Sequence, residues 1–138
     1  MRIFIVDTSA LVRLYIPDGP VPEMMEESVD LAWRAEALLK IPELALAEAA
    51  GVLRKKEKSG FISQKESGEV LDEILKLPLE TVGHRNLLKE AVAIARSYDI
   101  TAYDALFIAL ALREQGELIT ADAVLEKTFN RALKNIQG

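Results

Sequence analysis

The apolar positions along this chain alternate between short unbroken runs and longer runs with helical spacing. Residues 3–6, IFIV, are continuous rather than alternating, as expected of a parallel strand covered on both faces. Asp7 ends that run, and TSALVRLYI (8–16) has the spacing of a short helix. PDGPVP (17–22) is rich in turn formers and predicts the one long loop. A helix is expected over about 22–38, holding Trp33, and LLKI before Pro42 predicts a second strand. Helical spacing runs from 43 to 58 and stops at Gly60, a C-terminal cap. Ser63-Gln64-Lys65-Glu66 is a capping box that opens the next helix. LPLETV (77–82) has strand character, 85–98 returns to helix, and 104–114 predicts a buried helix. Gly116 leads into the short strand ELIT, 123–133 forms the last helix, and NIQ near the end predicts a final short strand.

Strand and helix thus alternate, with helices dominating. This is the α/β pattern, a small parallel sheet with helices on both faces. Ligands of such sheets bind beyond the carboxyl ends of the strands. Asp7 is expected there, directly after the first strand, and Asp122 there too, two residues after ELIT.

Length and composition narrow the classes. A chain of 138 residues is expected to form one domain, spanning 1–138, that buries about two thirds of its unfolded surface. Its 50% hydrophobic content excludes a disordered chain. No apolar run approaches the ~20 residues of a membrane helix, and the start MRIFIVDTSAL reads as a structural strand rather than a signal peptide. The absence of cysteine excludes disulfides and thiolate metal sites and suits a cytoplasmic protein. A net charge of −5 points away from a protein that coats nucleic acid by general electrostatics. Any nucleic-acid role must rest on a local basic patch or on metal ions.

Four carboxylates break the surrounding pattern. Asp7 follows the first apolar run, and Glu48 is the only charge in LALAEAAGVL. Asp104 interrupts ITAYDALFIALAL, and Asp122 sits in LITADAVL. Taken singly, Asp7 and Asp122 are well placed to cap helices, and Thr101-x-x-Asp104 matches the signature of a helix start. Glu48 has the weakest structural explanation, because it lies well inside a helix among alanines and leucines. Gly51, one turn on, would admit close approach of a ligand or of another backbone.

Jointly, three aspartates at one edge of the sheet and a glutamate from a facing helix would converge on one acidic pocket. Carboxylates that close raise one another's pKa unless a cation is present. Oxygen ligands without His or Cys suit Mg²⁺ or Mn²⁺ and disfavour zinc. The chemistry needing such a site is metal-assisted hydrolysis of phosphodiesters. Thr8 and Thr120 could orient ligands or waters, or serve only local turn hydrogen bonds.

The segments IFIVDTSAL, PELALAEAAGVLRK, ITAYDALFIALAL and LITADAVL, in this order, resemble the PIN-domain family, in particular its VapC-type ribonuclease toxins. The resemblance covers essentially the whole chain. It implies a three-layer α/β/α fold and a metal-binding catalytic site at Asp7, Glu48, Asp104 and Asp122, with Thr120 in support. It further implies Mg²⁺ or Mn²⁺ as cofactor, RNA as substrate, a homodimer, and inhibition by a small antitoxin protein.

Lesser features carry two readings each. Arg54, Lys55, Lys56 and Lys58 could guide phosphates to the metal, or merely suit a helix C-terminus. Trp33 is expected in the core or an interface, and Tyr103 in the core rather than on the site's rim. Two other classes compete. Dehalogenase-type phosphatases need a second Asp where this chain has Ser9, and receiver domains need paired early acids and a late lysine that are absent. A non-catalytic RNA- or partner-binding scaffold would gain nothing from clustered charge.

Overall fold

The computed structural model describes residues 1–137. Its sheet contains β1 (Arg2–Val6), β2 (Ala37–Pro42), β3 (Leu79–Val82) and β4 (Glu117–Ile119). Helices α1 (Thr8–Arg13), α2 (Met25–Trp33), α3 (Leu44–Lys58), α4 (Gln64–Lys76), α5 (Leu88–Tyr98), α6 (Ala102–Glu114) and α7 (Ala123–Gln137) flank it. A 3-10 turn, Arg85–Leu87, leads into α5. All strand pairs are parallel and the order is β3-β2-β1-β4. The IFIV run is buried at Phe4, Ile5 and Val6, as a central strand covered on both faces requires.

This order places the site. The chain moves outward from β1 through β2 to β3, then returns to add β4 on the other side of β1. The direction of winding therefore reverses between β1 and β4, and a crevice opens beyond their carboxyl ends. Asp7 and Thr120 stand at those two ends, where the amide of Asp7 donates to the carbonyl of Ile119 at 3.1 Å.

Helix α6 is the central buried element. Every residue from 105 to 111 is buried, so the helix is apolar all round and packs on β1, β2, β4 and α5. The hydroxyl of Thr101 caps it by accepting from the amide of Asp104 at 3.1 Å. Gly116 then lets the chain turn back under the sheet, since a Cβ there would sit 3.0 Å from the carbonyl of Ile3. A satellite core of Val12, Ile16, Ala49, Leu53, Ile62 and Ile74 joins α1, α3 and α4. The Ser63 capping box at the start of α4 is complete, with both reciprocal bonds at 3.1 Å.

Several sequence expectations are corrected. The helix expected over 22–38 is only Met25–Trp33, because Ala35 adopts φ +58° and residues from Ala37 pair with β1 instead. NIQ is not a strand but the end of α7, docked on α5 where Asn135 Nδ2 donates to the Tyr98 hydroxyl at 2.6 Å. Trp33 and Tyr103 are exposed rather than core, at 62% and 61%. A Cβ added at Gly51 would meet nothing within 4 Å, so no backbone approaches it. Among the described residues no helix is long and apolar enough to cross a membrane.

Candidate active site

Asp7 does two things at once. Its Oδ1 caps α1 by accepting from the amide of Ala10 at 3.0 Å, and also accepts from the Ser9 hydroxyl at 2.7 Å. Its Oδ2 accepts from the Thr120 hydroxyl at 2.6 Å. The side chain is almost fully buried, and burial pushes its carboxyl above the ordinary range. The three donors oppose that rise, and the charge of Asp122 adds to it.

Thr120 and Ser9 tie the ends of β1 and β4 together. Thr120 Oγ1 also accepts from the amide of Asp122 at 2.9 Å, and Ser9 Oγ from the amide of Ala121 at 2.9 Å. The two hydroxyls lie 3.3 Å apart, each with its hydrogen directed at Asp7. Sequence reasoning missed Ser9 as a site residue. The only signal was its place two residues after Asp7, in the turn that must face the next strand end.

The other acids surround the same crevice. Asp122 is exposed and caps α7, its Oδ1 accepting from the amides of Val124 and Leu125 at 2.9 and 3.1 Å. Glu48, half-buried on α3, accepts from the Thr8 hydroxyl at 3.0 Å. Thr8 therefore fixes an acid rather than a turn. Burial raises the Glu48 carboxyl above its ordinary value, against the Thr8 bond and with the charges of Asp104 and Asp7. Asp104 sits half-buried in the first turn of α6, less deep than its apolar surroundings in sequence suggest. Burial, and then the charge of Asp122, raise its carboxyl as well.

All four acids line one cavity of about 300 Å³, together with Thr8 and Ser9. They ring that cavity rather than meet at a point: among the described residues, no three His, Cys, Asp or Glu side chains stand close enough together to hold a metal ion as they are. None of the four forms an ion pair among the described residues. The donor set is all oxygen, and the carboxyls of Asp7, Glu48 and Asp104 are raised by burial first and by neighbouring acids second. Both features fit a hard divalent cation, and the open arrangement leaves positions for water and substrate oxygens.

Relatives share this architecture. The chain is 32% identical to Ribonuclease VapC3 of Pyrobaculum aerophilum over 127 residues, 91% of this chain and 93% of the relative. Among solved structures, PAE2754 of Pyrobaculum aerophilum superposes with a TM-score of 0.71 at 23% identity, over 92% of this chain and 79% of that one. VapC20 of Mycobacterium tuberculosis, described as a sarcin-ricin loop cleaving toxin, gives 0.63 at 13% identity over 90% and 93%. VapBC2 of Rickettsia felis, solved bound to a fragment of its promoter DNA, gives 0.60 at 18% over 84% of each chain. The PIN domain model matches residues 4–129, nearly the whole length from β1 into α7, and the chain therefore belongs to the PIN domain family.

Proposed function

We propose that this chain is a divalent-metal-dependent ribonuclease that hydrolyses RNA phosphodiester bonds, and the toxin of a toxin–antitoxin pair. One observation carries the reading: four carboxylates without basic partners line a single cavity at the switch point of the sheet. The 32% identity to a protein named as a ribonuclease supports the same class of reaction.

Asp7, Glu48, Asp104 and Asp122 would hold Mg²⁺ or Mn²⁺, which supplies an activated water and offsets charge on the leaving oxygen. The protein's own part is positional. Ser9 and Thr120 hold both oxygens of Asp7, so that carboxylate has one orientation. Thr8 does the same for one oxygen of Glu48. Asp104 stands half-buried on the cavity wall without a basic partner among the described residues, where its carboxylate would be open to a cation. Burial raises the carboxyls of Asp7, Glu48 and Asp104, a rise that a bound cation would counter.

The partners in this reading are RNA, a second copy of the chain and an antitoxin protein. A groove lined by Leu14, Tyr15, Val29, Trp33 and Leu77, together with the charged Glu26, Glu73 and Lys76, suits a short amphipathic segment of the antitoxin. Light scattering that finds a monomer at high concentration removes the homodimer from this reading. The central test is Asp104→Asn, which keeps the shape of the side chain and removes its charge. RNA cleavage in Mg²⁺ should fall by at least about 100-fold, with an unchanged circular dichroism spectrum. A near wild-type rate would exclude the site; a wild-type chain that cleaves no RNA in Mg²⁺ or Mn²⁺ would favour a scaffold.

A further inference from the structure

The cavity that holds the four acids is not acidic throughout. Arg13, at the end of α1, and Lys56, near the end of α3, also line it. Both are engaged by the 17–22 loop instead of by the four acids. Lys56 Nζ donates to Asp18 Oδ2 at 2.7 Å, and Arg13 Nη1 donates to the carbonyl of Pro20 at 3.2 Å. The Lys56 bond, and then the charges of Lys56 and Arg13, hold the Asp18 carboxyl below its ordinary range. A carboxylate of the loop thus lies on Lys56 and a carbonyl of the same loop on Arg13, with the charge of Arg13 felt by Asp18.

The local build is specific. Gly19 has φ +146°, a backbone conformation that favours glycine, and a Cβ there would stand 2.5 Å from Arg13 Nη1, so the guanidinium would have to shift. Lys56 differs from the other cations of its helix end. Its side chain is 19% exposed, whereas that of Arg54 is 64% exposed and pairs with Glu57. The Phe61 ring backs its ammonium at 4.7 Å. Two cations, Lys56 the more sheltered of them, therefore line the same cavity as the four acids that would hold metal in the reading above.

A phosphate offers such cations the same charge-assisted hydrogen bonds as a carboxylate, with more acceptor oxygens. The Asp18 side of the Lys56–Asp18 pair is open to solvent, so the carboxylate can be exchanged for another anion. We propose that Arg13 and Lys56 form a subsite for an RNA phosphate neighbouring the scissile one, and that Asp18 fills this subsite in the free protein. The proposal rests on the ribonuclease reading and extends it. Substrate must displace Asp18, so its apparent affinity is reduced by the fraction of chains in which the loop is closed. A subsite of two cations also explains how a chain of net charge −5 holds RNA without a basic face.

The test uses fluorescence anisotropy of a labelled single-stranded RNA oligonucleotide in Mg²⁺, with every protein carrying Asp104→Asn so that the strand persists. Lys56→Gln should weaken binding about fivefold and flatten the plot of log K against log salt by about 0.7. Asp18→Asn should tighten binding about threefold, and that gain should vanish in the Lys56→Gln background. Glu90→Gln on α5 changes the net charge equally outside the cavity and should have little effect. The subsite is overturned if Asp18→Asn matches Glu90→Gln, if its effect is equal in both Lys56 backgrounds, or if Lys56→Gln leaves the salt slope unchanged. A chain with intact Asp104 that cleaved no RNA while these binding differences held would sink the ribonuclease reading alone. Active cleavage without the binding differences would sink the subsite alone.

Discussion

Thr120 Oγ1 gives its hydrogen to the buried Asp7 Oδ2 and takes one from the amide of Asp122. Valine in its place would keep the branched shape and lose both bonds. One oxygen of a buried carboxylate and one amide would then lack partners, at a cost of about 1–3 kcal/mol. Asp7 would respond by holding its proton to still higher pH, because a donor that favours its ionised form is gone. Thr120→Val should therefore lower the melting temperature and move the acid limb of the cleavage pH profile upward, while Thr120→Ser stays close to wild type. An unchanged melting curve and profile in the valine variant would deny Thr120 its positioning role. The same residues show what could be read in advance. Capping and site membership looked like rival explanations for Asp7 and Asp122, but they are compatible, because helices start where strands end and both residues cap a helix while lining the cavity. Ser9 was not legible, since its importance lies in reaching Ala121 and Thr120, more than 100 residues away in sequence.

The elements whose limits are set by local chemistry were the legible ones. Ser63 opens α4 and Thr101 opens α6 through bonds made within four residues, and both starts stand where the sequence puts them. The end of α2 and the end of α7 depend on distant partners instead. Leu38 leaves the helical pattern because its backbone pairs opposite Ile3, and residues 135–137 stay helical because Asn135 and Arg131 dock on Tyr98. The cap of α6 also fixes the height at which Asp104 meets the cavity. Thr101→Ala should cost about 1 kcal/mol of stability, the usual value of a lost cap. It should also reduce cleavage, because a frayed first turn no longer holds Asp104 beside Asp122. Full activity in a destabilised Thr101→Ala would show that Asp104 is placed by its packing, with Ala105 to Ala111 as the anchor, rather than by the cap.

The whole molecule carries a charge conflict that pH and metal should expose together. Asp7, Glu48 and Asp104 all have carboxyls raised above their ordinary values, with burial as the first cause in each case. In the unfolded chain the same groups ionise near pH 4. Below that, both states hold the protons and these groups cost nothing. As pH rises past it, the unfolded chain releases protons first, the folded chain holds more, and stability falls with pH. The fall ends once pH has passed the raised folded values. Asp18, held low by Lys56, acts in the opposite sense, with stability lost as pH drops through its depressed value, and its exposure makes that contribution small. In the proposed reading a divalent cation would bind the ionised acids in the folded chain alone, stabilising it by about 1.4 kcal/mol at tenfold excess over Kd. It does so most where the acids are already ionised, so it should flatten the pH slope as well as raise the curve. Calorimetric melts followed upward in pH from about 4 should therefore decline in EDTA and stay nearly level in Mg²⁺. Parallel pH profiles in the two buffers would mean that the cation is not held by these carboxylates, and the metal assignment would fall with them.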